Sequence, residues 1–370
     1  MKNILITGGL GFLGSHLAET LSKRHKVIAV DNLSKRVHPF KSFVYKPRNI
    51  TILEKDINNA AILREILPKI DVIYHFASHQ DHLKDYSKFI DNNVKSTSLI
   101  FEILNSLKNR RLSQFILASS QSIYGNGYIK HNKKKILAER KLINLKKRKW
   151  NVISSNEKYV AHKETDKPNP TNFYGLSKYF QEIIVKKCSR DLNINYTILR
   201  YSIVQGSRQS FFNPYSGLCR NLISAYCKNE RPVIFEDGNS IRDFVNIEDV
   251  TKINNKILNN EMSFNETFNI GGGKGYNLND FNEIVKKTLN TNIEPIVNRY
   301  FRVNDPRYTV SNIDKAYKYL NWKPKNDVMV SIKDYINWTY EKKRYLKFSK
   351  NGLNNMLKQG AVIDCYKSSI

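Results

Sequence analysis

The sequence predicts an α/β protein, a doubly wound parallel sheet followed by a smaller mixed C-terminal lobe. Short apolar runs alternate with helical patterns through the first half of the 370 residues, the rhythm of a parallel sheet with crossover helices. A glycine run over residues 7–14 sits between the first apolar run and the first helical pattern. After Gly206 the rhythm turns irregular, as in a separate lobe.

The elements follow in order. Residues 4–7 read as strand one, 14–23 as the first helix, 27–30 as strand two, 50–53 as strand three and 71–77 as strand four. A helix over 86–108 is predicted by Phe89, Ile90, Val94, Leu99, Ile100, Ile103 and Leu104 at helical spacing. Residues 115–119 read as strand five. Residues 126–168 break the rhythm, end in Lys167-Pro168-Asn169-Pro170, and read as an insertion, a surface excursion with no part in chemistry. The expected division is 1–203 for the first domain with that insertion, 204–340 for the lobe, and 341–370 for a basic, peripheral extension. Part of 240–260 is expected to return to the first domain.

Composition narrows the classes. The chain is 41% hydrophobic, and no run approaches the ~18 apolar residues that cross a bilayer, so no membrane insertion is expected. Glycines interrupt the N-terminal apolar run, so no export signal is read. Cys188, Cys219, Cys227 and Cys365 form no CxxC, which suits reduced thiols in a cytoplasm. The net charge of +28 invites a nucleic acid. Half of it comes from two segments: 126–168 holds 13 Lys or Arg against 4 acids, and 341–370 holds 7 against 2. No aromatic-interleaved basic motif accompanies it. The lysines are read as a solvated coat, with no nucleic-acid partner.

The glycine run spells TGGLGFLG and satisfies GxGxxG at Gly9, Gly11 and Gly14 in the first strand-to-helix turn. Glycines there let backbone approach a pyrophosphate at a helix N-terminus, the Rossmann arrangement. Asp31 ends strand two, placed to accept hydrogen bonds from the adenosine ribose and to repel a 2′-phosphate. NAD is therefore favoured, while Lys35 and Arg36 keep NADP open. Tyr174 and Lys178 form YxxxK, one helical turn apart on one face, where an ammonium can hold a phenolate that accepts an alcohol's proton. Ser120 stands at the carboxyl edge of strand five as the third member.

TGGLGFLG, DNLS at 31–34, SSQSIYG at 119–125 and YGLSK at 174–178 together resemble the extended short-chain dehydrogenases of the NAD-dependent epimerase/dehydratase family that modify nucleotide sugars, from residue 1 to about 340. Residues 206–217 and 235–250 are similar to the dTDP-L-rhamnose 4-epimerase group. The resemblance implies catalytic Ser120, Tyr174 and Lys178. It implies NAD held by Gly8, Gly11, Phe12, Leu13, Asp31, Asn32, Asp56, Ile57, Phe76, Ala77 and Tyr201 beside Tyr174 and Lys178. It also implies a nucleotide-diphosphate sugar held by Gln209, Asn213, Arg242 and Arg302, and a homodimer built on the helices bearing Tyr174 and Tyr86.

The activity it implies is 4-epimerisation of a dTDP-6-deoxyhexose: the Tyr174 phenolate takes the 4-hydroxyl proton as hydride leaves for NAD, and hydride returns to the other face of the 4-keto sugar. Departures matter. Ile203 stands where the family has an asparagine near substrate, and Gln121 and Ser122 replace the acid pair a 4,6-dehydratase needs. A 4-ketoreductase uses the same triad and stays open. The intact triad opposes a non-enzymatic dinucleotide sensor or nucleic-acid-associated protein. The insertion holds no cysteine, so no metal is expected. His75, His79 and His82 are read as imidazoles lining the cofactor cleft.

Overall fold

A computed structural model describes residues 1–367 except 133, 152, 155, 156, 216 and 351; Ser216 of the 206–217 motif and the last three residues of the extension lie outside the described residues. The first strands and helices are β1 (Asn3–Thr7), α1 (Phe12–Leu21), β2 (Lys26–Val30), β3 (Thr51–Leu53), α2 (Ala60–Ile66) and β4 (Val72–His75). The expected long helix is α3 (Tyr86–Phe89), a π-helical turn over Ile90–Lys95, and α4 (Ser96–Ser106); β5 (Gln114–Ser120) follows. The π turn has a cause: buried Asn93 donates to Ser177 Oγ (2.9 Å) and the His79 carbonyl (3.1 Å), and accepts from the His79 amide (2.7 Å). Such turns commonly mark functional sites.

Past the insertion come α6 (Phe173–Asp191) and β9 (Asn195–Tyr201), and later β12 (Glu266–Ile270). The main sheet runs β12-β9-β5-β4-β1-β2-β3, parallel throughout. Helices cover both faces, so β1 can be continuously apolar. Ile4 and Ile6 pack in one core with Leu17 and Val250, while Leu5 packs in the other with Ile100, Phe115 and Val185. The order reverses between β1 and β4, where doubly wound sheets open a crevice at their carboxyl ends.

The insertion is not a surface excursion. Its strands β6 (Tyr128–His131), β7 (Lys134–Leu137) and β8 (Lys158–Val160) form their own antiparallel sheet, with α5 (Leu142–Lys146) between β7 and β8. His162 is fully buried and stacks on Tyr124 (4.6 Å between ring centres, 8° between planes), and Glu164 accepts from the Asn269 amide (2.8 Å). Lysine-rich composition hid these anchors, which lie among solvated neighbours and have no periodicity.

The lobe contains β10 (Ile203–Gln205), α7 (Leu218–Tyr226), β11 (Ile241–Asn246), α8 (Ile247–Lys256), β13 (Gly275–Asn277), α9 (Leu278–Leu289), β14 (Tyr300–Arg302), β15 (Tyr308–Thr309), α10 (Asp314–Leu320) and α11 (Val328–Glu341). Phe211, Phe281, Tyr335 and Trp338 fill its core. Helices α8 and α10 pack on the main sheet, with Val250, Ile253 and Ala316 in its first core beside Phe268 of the edge strand β12.

The extension is not peripheral either. It forms α12 (Lys343–Leu346), α13 (Leu353–Lys358) and β16 (Val362–Asp364), and β16 pairs antiparallel with β14 at Arg302↔Val362. Tyr345, Leu346, Met356 and Val362 are buried between exposed lysines. Among the described residues, no helix is long and apolar enough to cross a membrane.

Candidate active site

A cleft of about 670 Å³ opens at the carboxyl ends of β1, β4, β5 and β9 and runs between the sheet and the lobe. Every catalytic, cofactor and substrate residue that the family resemblance implies lines it except Asp56. Asp56 instead accepts from Asn32 Nδ2 (3.0 Å) and caps the Asn58 amide (2.8 Å), while its neighbours Lys55 and Ile57 reach the cleft wall. Its carboxylate therefore orients Asn32.

At the glycine turn, Gly8 adopts φ +65° directly after β1, a conformation costly for any residue with a Cβ. A Cβ on Gly14 would stand 2.2 Å from the Gly8 carbonyl oxygen and 2.7 Å from the Gly9 Cα. The backbone is thus folded against the start of α1, and the amides of Gly8 and Gly9 tie the turn to the Val30 carbonyl of β2. Asp31, at the end of β2, accepts from the amides of Leu10 (3.1 Å) and Leu33 (2.9 Å), which fixes its carboxylate beside that turn. Arg36 is engaged elsewhere: it pairs with Asp81 and lies over the Tyr215 ring at 4.7 Å. The cradle of small residues, an ordered carboxylate and an occupied arginine fit NAD.

The three histidines do not converge. His75 is fully buried, with Nδ1 at 2.8 Å from Thr7 Oγ1 and Nε2 at 3.0 Å from Thr97 Oγ1, so it braces β1 and β4 against α4 and does not line the cleft. Burial pushes its pKa down to about 3, keeping it neutral. His79 pairs with Asp81 (2.8 Å), and His82 hydrogen-bonds Arg302; both line the cleft. Among the described residues, no three His, Cys, Asp or Glu are grouped to hold a metal ion.

Ser120 and Tyr174 meet at the cleft's centre. Asn172 caps α6 by accepting from the Gly175 amide (2.8 Å), which places Tyr174 in the first turn. Gly175 lets that turn press on the chain after β5, because a Cβ there would lie 2.4 Å from the Ser122 carbonyl oxygen. Two turns on, Glu182 makes a bidentate pair with Arg200 of β9 (2.7 and 2.9 Å) and anchors the helix. Burial pushes the Tyr174 phenol up to about 12, opposed by the Ser120 hydroxyl.

The Lys178 ammonium donates to the Ala118 carbonyl and to Gln181 Oε1 (both 2.9 Å) and stands 6.0 Å from the Tyr174 ring centre. Burial pushes its pKa down to about 7, with Glu182 opposing. Gln181 also donates to Thr97 (2.7 Å), extending a buried chain from Lys178 to His75. The sequence reading missed Gln181, although it sits one helical turn beyond Lys178.

At the far end, Arg242 of β11 and Arg302 of β14 face Asp305, at 3.3 and 3.9 Å. Burial would raise the Asp305 carboxyl, but the two guanidinium groups hold it down at about 2. Asp305 was also missed; its signal was an acid three residues after Arg302. Asn213 donates to the Gln80 carbonyl (3.0 Å) and shapes the cleft wall, and the Tyr201 hydroxyl turns away to Asn254 (3.0 Å). Gln209 lines the cleft near Gly217, and Ile203 lines it where an asparagine was expected.

The sequence profile of the NAD-dependent epimerase/dehydratase family matches residues 4–271. A Methanocaldococcus jannaschii protein that carries the provisional name UDP-glucose 4-epimerase is 31% identical, over 90% of this chain and 97% of its own. A dTDP-L-rhamnose 4-epimerase of Burkholderia thailandensis is 27% identical, over 91% of this chain and 94% of its own. Among solved structures, the UDP-N-acetylglucosamine 4-epimerase of Methanobrevibacter ruminantium, in complex with UDP-N-acetylmuramic acid, superposes with a TM-score of 0.76 at 25% identity, covering 92% of this chain and 99% of that one.

Proposed function

The chain belongs to the NAD-dependent epimerase/dehydratase family, and from that premise we propose that it is a nucleotide-sugar 4-epimerase whose substrate is a dTDP-6-deoxyhexose. The observation that carries this reading is one continuous cleft with Ser120, Tyr174 and Lys178 at its centre, the glycine turn and Asp31 at one end, and Arg242 and Arg302 at the other. Guanidinium forks suit the oxygens of a diphosphate, so a sugar attached to it falls toward the middle. The 206–217 and 235–250 motifs and the rhamnose-epimerase relative support the thymidine nucleotide and the deoxy sugar.

NAD, when bound, supplies the chemistry of accepting a hydride and giving it back. The glycine turn would hold its pyrophosphate and Asp31 its adenosine ribose. The chain's own residues manage the proton. Ser120 hydrogen-bonds the sugar's 4-oxygen and orients it toward Tyr174, whose phenolate takes the proton and later returns it. Lys178 supplies positive charge nearby, held in place by Ala118 and Gln181. Since one tyrosine serves both directions, turnover regenerates its starting state. Gln121 and Ser122 offer no acid pair for eliminating water.

Incubation with dTDP-, UDP- and GDP-hexoses, with chromatography of products and absorbance at the reduced nicotinamide band, tests the reading. An epimer should form from a dTDP-6-deoxyhexose without net NADH. Stoichiometric NADH consumption would instead identify a ketoreductase. Asp31→Asn keeps an acceptor for the Leu10 amide but removes the charge. It should weaken NAD binding about tenfold and erode the preference over NADP, as loss of a charged hydrogen bond does; titration of both cofactors checks this.

Exposed Phe180 and Ile183 on α6, with exposed Tyr86 and Ile90 on the segment that packs against α6, support a homodimer on that face. Sedimentation should give twice the chain mass, and Ile183→Lys should shift it toward the monomer.

A further inference from the structure

The basic insertion reaches the arginines at the diphosphate end. Arg140 lies between β7 and α5, yet its side chain is only 3% exposed. It pairs with Glu236 at 2.7 Å and donates to the backbone carbonyl of Asp305. Arg307 shares Glu236 (3.0 Å), and the Asp305 carboxylate in turn faces Arg242 and Arg302. Arg140 itself does not line the cleft. The insertion grips the same region twice more. Trp150 and Leu145 pack with fully buried Phe301, next to Arg302, together with Cys365 of the extension, and Tyr159 stacks on Tyr308 at 4.8 Å and 5°.

Resting on the reading of Arg242 and Arg302 given above, we propose that Arg140 is a positioning residue for the diphosphate end of the site, by which the insertion pins the 303–307 loop and so sets the two guanidinium forks that receive the phosphates. A loop carrying a partly buried aspartate between two arginines has several ways to pair its charges. A third guanidinium holding the Asp305 carbonyl selects one of them. Glu236 keeps Arg307 as a partner when Arg140 is removed, so no carboxylate is left buried without a cation. The loss should therefore loosen the loop without unfolding the chain.

The test compares wild type, Arg140→Ala, Arg140→Lys and, as a control at the site itself, Arg242→Ala. Readouts are KM and kcat for the nucleotide sugar, inhibition by inorganic pyrophosphate, retained NAD and thermal unfolding. For Arg140→Ala we expect KM and the pyrophosphate inhibition constant to rise about tenfold, the scale of one charged hydrogen bond, with kcat and NAD content kept. Arg140→Lys, which keeps the charge but not the fork, should recover part of the loss and serves if the alanine protein does not fold. If wild type and Arg242→Ala are equally indifferent to pyrophosphate, the diphosphate reading falls, and this inference with it. If Arg242→Ala loses pyrophosphate binding while both Arg140 variants match wild type, this inference alone falls. Parallel loss of NAD and of unfolding temperature would reduce Arg140 to a structural role and also overturn it.

Discussion

Replacing Tyr174 by phenylalanine should give a protein that folds, retains NAD and binds nucleotide sugar, yet turns over about a thousandfold more slowly, the scale of a lost general base. The ring is kept, so packing against the cleft wall survives; only the hydroxyl beside Ser120 goes. The structure also assigns a direction to the pH dependence. Burial holds the phenol at about 12, so near neutrality only a small fraction is phenolate and that fraction grows as pH rises. Wild-type kcat should climb with pH, by up to about tenfold per unit while the phenol stays mostly protonated, and the slope should vanish in the Phe variant. Bound NAD⁺ and the nearby Lys178 ammonium both lower the effective value. Lys178 itself sits at about 7 because of burial, so its help fades as pH rises and the climb should flatten above neutrality. Steady-state rates from pH 5.5 to 9.5, with product analysis at each point, measure this. A Phe variant within a few-fold of wild type would remove Tyr174 from the chemistry.

The second large effect is expected at Gly14. Alanine there places a Cβ 2.2 Å from the Gly8 carbonyl oxygen and 2.7 Å from the Gly9 Cα. Both obstacles are backbone, so no rotamer change relieves them, and α1 must move off β1. Overpacking of this kind costs about 3 kcal/mol, and the displaced turn should lose NAD. Gly11→Ala is the contrast, because its Cβ would meet only the Gly8 carbonyl oxygen, at 3.2 Å. It should unfold in urea almost as wild type does, while still obstructing the cofactor's approach. Urea denaturation and NAD content after purification separate the two effects. Equal stability of the two variants would show that α1 does not depend on contact at Gly14.

Much of the fold was legible because its signals are local. The apolar runs that became β1, β2, β3, β4 and β5 are short and bounded by turn residues, and the structure moves their ends by no more than two residues. The helix over 86–108 was readable from its spacing, but its π turn was not, since that depends on Asn93 meeting Ser177, 84 residues away. The insertion and the extension were misjudged for one reason. Their buried side chains, His162, Arg140, Tyr345 and Val362, are scattered among lysines that do face water. Composition averages the two populations together.

The sequence alone determined the parallel sheet, the glycine turn and the presence of Ser120, Tyr174 and Lys178, because a strand, a turn and one helical turn are each set by residues a few positions apart. The tertiary structure alone decided that Lys178 is held by Ala118 and Gln181, that His75 is a brace, and that Arg140, Asp305 and β16 lie around Arg242 and Arg302. Buried charges pair with whatever cation or carboxylate the fold brings within about 3 Å. No periodicity along the chain records which one that is.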